Sequence, residues 1–379
     1  MSEVFDIAIV GGGIAGASVA CFLAGRRSVL LLEQEDAWGY HSTGRSAAEF
    51  SLRFHSTGVG QLTRASKGFF FDPPDGFSDV PLLRPRGNLI IANEDKTHLL
   101  ERTFAEEMAH SSSETHALQL QTIEQAMEKV PFLDPNWVRA AFFDPDCWDI
   151  EVENLLQGYI RCARRSGVEL RQKAALTEAR RENDRWILQT RSGEFKARVV
   201  VNATGAWADE IAQKLGALPL GLVPHRRTAI AVKVPGYDMS QMPEVNEIEE
   251  TFYFKPDAGQ IMVSPADETP VDPHDAWPEE IDIAFAAHYL TECTTLEVSR
   301  VAHSWAGLRT FSSDRLPVIG RSAIVEGMFW LAGLGGYGIQ TSPSVGRIAA
   351  ALLTGETIPQ DLAEHEITID MISPARFEK

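Results

Sequence analysis

Gly11, Gly13 and Gly16 lie in the string VGGGIAGAS, residues 10–18, with the spacing GxGxxG. The first glycine permits a tight turn, the second lets backbone approach a pyrophosphate, and the third lets helix and strand pack closely. The helix that follows would face phosphate with unpaired N–H groups and the positive end of its dipole. Glu33 falls about 20 residues on, where a carboxylate can accept hydrogen bonds from ribose hydroxyls and disfavours a 2′-phosphate. Nicotinamide and flavin dinucleotides both satisfy this pattern, so other segments must decide between them. In YHSTGRSAAEF, residues 40–50, the small side chains of Ser42, Thr43, Gly44, Ser46, Ala47 and Ala48 would let backbone run against a flat ring, and Arg45 could meet phosphate charge. Two more glycine turns follow strands, ATGAWA at 203–208 with Thr204, Gly205 and Trp207, and GLGGYGIQTS at 333–342 with Gly335, Gly336 and Gly338. The second opens a helix whose amino end could stabilise negative charge on a reduced ring. Three distant segments converging on one ligand suit a large resident cofactor better than a coenzyme that leaves after each turnover.

The elements that must position these residues are readable from apolar runs. FDIAIV (5–10) is a buried strand, residues 14–24 a helix of small and apolar residues, and SVLLL (28–32) a second buried strand ending at Glu33, which completes a βαβ unit. Helical patterns follow at 94–109, 122–129 with Thr122 and Gln125 as a capping box, 151–166 and 279–292. LLRPRGNLIIA, VRAAFFDP, RRTAIAVKV, ETFYFKP and QIMVSPA read as strands. RVVVNATGAWADEIAQKLG and MFWLAGLGGYGIQTSPSVGRIAAALLTG each repeat strand, glycine turn and helix. The α/β pieces are interleaved with strand-rich pieces, which predicts two domains, each discontinuous in sequence.

Composition narrows the function classes. At 379 residues, 44% hydrophobic and 23% charged, the chain has the make-up of an ordinary globular protein with a large core. A formal net charge of -18 opposes binding to nucleic acid or to an anionic membrane surface. No apolar run approaches the roughly 20 residues that span a bilayer. Cys21, Cys147, Cys162 and Cys293 are widely spaced without a CxxC or a histidine at metal-ligand spacing, so neither a disulfide framework nor a metal site is expected. The acidic start MSEVFD lacks the basic flank of an export signal. With the thiols, it leads to the expectation of a reducing cytoplasm.

VGGGIAGAS, Glu33, STGRSAA, VVNATGAW, WAGLRTFSSDRLPVIG and GGYGIQTS occur in the order seen in FAD-dependent amino-acid oxidoreductases, the D-amino-acid oxidase, glycine oxidase and sarcosine oxidase superfamily. The chain resembles this group over nearly its whole length, and within it the bacterial D-arginine dehydrogenases most, through GYHSTGRSAA, FYFKPDAG, WAGLR and GGYGIQTS. The resemblance implies α/β plus α+β architecture. A Rossmann-like FAD-binding domain would use residues 1–55, 145–220 and 305–379, and a mostly antiparallel substrate domain residues 56–144 and 221–304. It also implies resident FAD, with Ala15, Gln34, Ala175 and Ile339 completing the cofactor-binding set. No cysteine lies in a glycine turn, so the flavin is expected to be noncovalent.

For chemistry, the resemblance points to Arg309 and to one arginine of PHRRTA as the grip on the substrate α-carboxylate, a task suited to the planar guanidinium fork. Alternation along a strand lets only one of Arg226 and Arg227 face inward, and Arg227 is favoured. Tyr253 would add a hydroxyl donor, while Tyr337, Gln340 and the Gly336–Gly338 backbone would border flavin and amine. Hydride would pass from Cα to flavin N5, and water would hydrolyse the imino acid to a 2-oxo acid and ammonia. The chain departs from the D-arginine dehydrogenase pattern at Asn88, where the relative carries an acid, and at Glu49 and Phe54, where it carries histidine and tyrosine. A lone carboxylate in a dry pocket is costly, so Glu49 is expected to pair with Arg53. Neutral or apolar D-amino acids are therefore expected rather than arginine, oxidised by a dehydrogenase that passes electrons to a quinone or other acceptor, with an oxidase using oxygen as the nearest rival. Oxidation of N-methyl, cyclic or 2-hydroxy acids, or a redox-idle flavoprotein, are the alternatives. His55, His225 and His303 are assigned surface or satisfied core roles.

Overall fold

Uninterrupted apolar runs dictate the first layer of the molecule, because a strand such as VLLL can be stable only with both faces covered. In the computed structural model, which describes residues 4–53, 56–109 and 115–378, every residue of Val29–Leu32 and Met328–Ala332 is buried. These strands belong to an eight-stranded sheet. At its centre Val4–Val10 lies parallel between Gly193–Asn202 and Val29–Leu32, and Met328–Ala332 adds in parallel beside Asn202. The helices Ile14–Leu23, Val152–Arg165 and Gly338–Thr354 pack on one face through a core that includes Ile9, Leu31, Tyr159 and Ile348. Ala208–Lys214 covers part of the other face, near Val10, Leu30 and Trp330.

A second, nine-stranded sheet follows the order Thr269–Pro270, Val223–Val232, Gln260–Ser264, Tyr253–Asp257, Glu244–Glu247, Asn88–Ala92, Ala140–Asp144, Gln119–Gln121, with Val301–Phe311 also bonded to Val223–Val232. Val301–Phe311 straddles the domain boundary expected at residue 305. One face of this sheet packs its Ile230, Val245, Phe254 and Val263 against Ala286 and Leu290 of the helix Glu280–Cys293. The opposite face carries Arg227 and Tyr253. A third, small sheet joins Glu49–Ser51, Cys147–Ile150 and Leu83–Pro85. LLRPRGNLIIA is thus split between two sheets at Gly87, whose φ of 72° no side-chain-bearing residue adopts readily.

Two features differ from the sequence reading. The helix Thr57–Phe71 has no counterpart among the predicted elements; it is held against Gly338–Thr354 through a Ser66–Ser344 hydrogen bond of 2.9 Å. Cys21 and Cys162, expected to be free thiols, form a disulfide between the first helix and Val152–Arg165, with Cα atoms 5.3 Å apart. Their separation of 141 residues hid the pairing, which only the packing of the two helices creates. Cys147 and Cys293 are buried and free.

Candidate active site

The carboxyl ends of the central strands open into a cavity of about 440 Å³ that reaches from Glu33 and Trp207 to Arg227, Tyr253 and Arg309. Its first wall is the glycine turn. Gly11 has a φ of 108°, and a Cβ there would overlap the Ala203 carbonyl. Gly11, Gly13 and Ala15 line the cavity, whereas Gly16 stands behind the turn, where its missing side chain makes room for the Gly11 carbonyl. The first-turn N–H groups of Ile14–Leu23 have no intrahelical acceptors; one of them, on Ile14, donates to Thr43 Oγ1 at 3.0 Å.

Glu33 lines the cavity while accepting N–H bonds from Gly12 at 2.8 Å and Glu35 at 2.9 Å. Burial raises its carboxyl pKa, against the lowering effect of those two bonds and of His41. Gln34 and Ala175 also line this end. So does His41 of YHSTGRSAA, which has no local sequence signal of its own. Its ring lies 4.6 Å from that of Trp207 and its Nε2 is 3.0 Å from Glu35.

Ser42, Thr43, Arg45, Ser46 and Ala47 border the middle of the cavity, and Ser42 Oγ donates to the Leu308 carbonyl at 2.6 Å. Ala48 is not on the wall; its carbonyl accepts the Ile150 N–H at 3.1 Å. The Arg45 guanidinium, on the same wall, is bound to Asp275 and donates to the carbonyls of Ala276 at 2.9 Å and Ala306 at 3.2 Å, so its charge is shared with a protein carboxylate. Thr204 and Gly205 line the cavity from the second turn, and Gly335, Gly336, Gly338 and Ile339 from the third. A Cβ on Gly335 would overlap the Phe311 ring.

At the far end, strand register brings the cationic groups together. Arg227 pairs with Gly307, and Arg309 pairs with His225, so the two arginines share one face and both line the cavity with Tyr253. Arg226 points to the opposite face, where Asp282 accepts from it at 2.8 Å and Glu279 and Asp267 complete its pairing. Burial and the neighbouring Arg309 lower the Arg227 pKa. The Arg309 side chain lies against Gly336, whose lack of a Cβ leaves it room.

Other predicted residues do not reach this wall. Gln340 is buried in the helix Gly338–Thr354 and Tyr337 is half-buried at its start, and neither lines the cavity. Asn88 accepts an amide bond from Asn246 at 3.0 Å, also away from the cavity wall. The expected pairing of Glu49 with Arg53 is not what forms. Arg53 meets Asp144 at 3.6 Å, Glu107 at 3.9 Å and the His116 carbonyl at 2.6 Å. Glu49 instead accepts from Cys147 Sγ at 3.4 Å and neighbours Glu244, with candidate ligand atoms of all three within 4.8 Å of one another. Lys255 lies 3.9 Å from Glu244 and 2.9 Å from Asp149, and so supplies a cation to this buried acidic group. Phe54 and His55 lie outside the described residues. His303 stacks on Trp305, another wall residue not singled out from sequence, and His225 Nδ1 is 3.0 Å from the Val223 carbonyl.

A phosphate-sized glycine cradle, an acid at the ribose position and a cationic far end define a dinucleotide-dependent oxidoreductase. The match of residues 6–352 to the DAO model, described as FAD dependent oxidoreductase, places the chain in that family. Glycine oxidase of Geobacillus kaustophilus is 24% identical, over 97% of this chain and 98% of the relative. FAD-dependent oxidoreductase domain-containing protein 1 of Bos taurus is 25% identical, over 92% and 81%. The crystal structure of glycine oxidase from Geobacillus kaustophilus superposes with a TM-score of 0.82 at 23% identity, covering 97% of this chain and 99% of that one. FAD is the cofactor, and the residues fit it: the Gly11–Gly13 turn and helix amino end can hold the diphosphate, Glu33 the ribose, and the Ser42–Ala47 and Gly335–Ile339 segments the ring system. No cysteine lines the cavity among the described residues. Likewise, no helix among them is long and apolar enough to cross a membrane.

Proposed function

We propose that the chain is a D-amino-acid dehydrogenase with noncovalent FAD, acting on substrates with neutral side chains. The observation that carries this reading is the convergence of Arg227, Arg309 and Tyr253 on the cavity end bordered by the Gly335–Gly338 turn. Bound there, FAD supplies the acceptor for the hydride that leaves Cα. Arg227 and Arg309 bind the α-carboxylate and so fix Cα, while the Tyr253 hydroxyl donates to the same carboxylate. The amine enters neutral, which removes the need for a protein base at Cα, and the released imino acid is hydrolysed by water to a 2-oxo acid and ammonia. A neutral side-chain preference is supported by the cavity lining, whose acidic side chains among the described residues, Glu33 and Glu210, belong to the strand end and helix beside Trp207 and not to the strands that carry Arg227, Tyr253 and Arg309.

The test is anaerobic flavin bleaching of the holoenzyme with glycine and with D-, L-, N-methyl and 2-hydroxy acids, followed by peroxide measurement in air. Neutral D-amino acids are expected to bleach the flavin fastest, with peroxide far below one per turnover. Bleaching by hydroxy acids alone, or by L-amino acids in preference, overturns the substrate assignment. One peroxide per turnover overturns the dehydrogenase assignment.

A further inference from the structure

Arg227 has an anion beside it before any substrate arrives. Its Nη2 lies 3.5 Å from Glu268 Oε1, too long for a strong charge-assisted hydrogen bond. That oxygen is taken by Arg315 Nη2 at 2.8 Å, and Arg315 Nη1 lies 3.3 Å from the other one. Arg315 is half exposed and rests on Phe311. Its guanidinium carbon stands 3.8 Å over the Phe311 ring, its backbone is left-handed with a φ of 59°, and Phe311 occupies the space a Cβ on Gly335 would need. A continuous chain of contacts therefore runs from the Gly335 turn through Phe311, Arg315 and Glu268 to Arg227. Neither Glu268 nor Arg315 lines the cavity, so neither touches a ligand there, and Arg227 is the wall residue that Glu268 pairs with. Burial alone would push the Glu268 carboxyl up, but the Arg315 hydrogen bond and the charges of Arg315 and Arg227 outweigh it and hold the pKa below the ordinary range.

We propose that Glu268 is a resident counter-anion that weakens the grip of the Arg227–Arg309 pair on carboxylates, and that Arg315 is the positioning residue that restrains it. This rests on the carboxylate-clamp reading given above. Two half-buried guanidiniums with no counter-charge would hold any small carboxylate, the 2-oxo acid product included. A fixed anion next to one of them lowers that affinity and favours product release. If Arg315 were removed, Glu268 would be free to close on Arg227 and compete fully with substrate.

Acetate titration of the holoenzyme, followed by flavin absorbance at low ionic strength, separates these roles. Glu268→Gln is expected to tighten acetate about three- to thirty-fold, an effect that fades with added salt. Arg315→Met is expected to weaken acetate several-fold, and the double variant to return to the Glu268→Gln value. Acetamide, the neutral isostere, is expected to bind equally to all four proteins, whereas general loosening of the site would weaken both ligands. Unchanged or weaker acetate binding in Glu268→Gln, or tighter binding in Arg315→Met, overturns the proposal. Arg309→Met tests the underlying reading on its own. If it leaves acetate binding intact, the clamp assignment fails; if it abolishes binding while Glu268→Gln changes nothing, the counter-anion alone fails.

Discussion

Single residues in this chain are placed where charge is expensive, and Asp144 shows the consequence most clearly. It is fully buried, accepts the Asp146 N–H at 2.9 Å and faces Arg53 at 3.6 Å. Burial nevertheless dominates and lifts its carboxyl pKa to about 6, against the lowering effects of that hydrogen bond and of Arg53. In the unfolded chain the same group titrates near the ordinary aspartate value. Below both values Asp144 is protonated in either state and has no effect on the pH slope. Between them the unfolded chain ionises first, so stability is lost as pH rises and the loss is complete above the folded value. Replacing Asp144 with Asn removes this term. The unfolding free energy of Asp144→Asn relative to wild type should therefore rise by about 2 to 3 kcal/mol between pH 4 and pH 7. Denaturant unfolding of both holoenzymes across that range measures it; a flat difference or the opposite slope would refute the assignment.

At the scale of elements, the strand–glycine–helix units make the cofactor site, and their tolerances are tightest where backbone meets backbone. A Cβ on Gly16 would run into the Gly11 carbonyl, so Gly16→Ala must push the first helix away from the turn. A loss of FAD affinity of about tenfold or more is expected, as overpacking costs about 1–3 kcal/mol. Gly68 lies in the helix Thr57–Phe71 with nothing within 4 Å, so Gly68→Ala should leave FAD binding unchanged and raise stability slightly. Flavin retained after ultrafiltration of the two variants is the readout; equal retention contradicts the role given to Gly16. These units were legible in the sequence because their signals are local: apolar runs, glycines at fixed offsets, and the Thr122–Gln125 capping box, which forms as predicted. What escaped reading was set by partners distant in sequence. Arg45 is claimed by Asp275, 230 positions away, and Glu49 is drawn to Cys147 and Glu244 by strand pairing that no window contains. The helix Thr57–Phe71 escaped because glycines and polar residues dilute its apolar face, and packing on Gly338–Thr354 supplies the stability its composition does not.

For the whole molecule, the cavity lies between the two large sheets, so whatever ties together the helices on one face of the first sheet also steadies the glycine-turn end of the site. Cys21 and Cys162 do this directly. They join the helix that begins at the glycine cradle to Val152–Arg165, closing a loop of 141 residues. Cross-linking so long a loop restricts the unfolded chain, and removing such a bond typically costs about 2–5 kcal/mol. A disulfide of this kind persists in an oxidising setting and is rare in a reducing one. Alkylation of the unreduced, denatured chain should therefore label Cys147 and Cys293 and leave Cys21 and Cys162 unlabelled until reductant is added. Reductant should also lower the unfolding midpoint of the holoenzyme. The Cys21→Ser/Cys162→Ser double variant should start at that lower midpoint and no longer respond. Four labelled thiols before reduction, in protein purified without reductant, would mean that the two helices are held by packing alone.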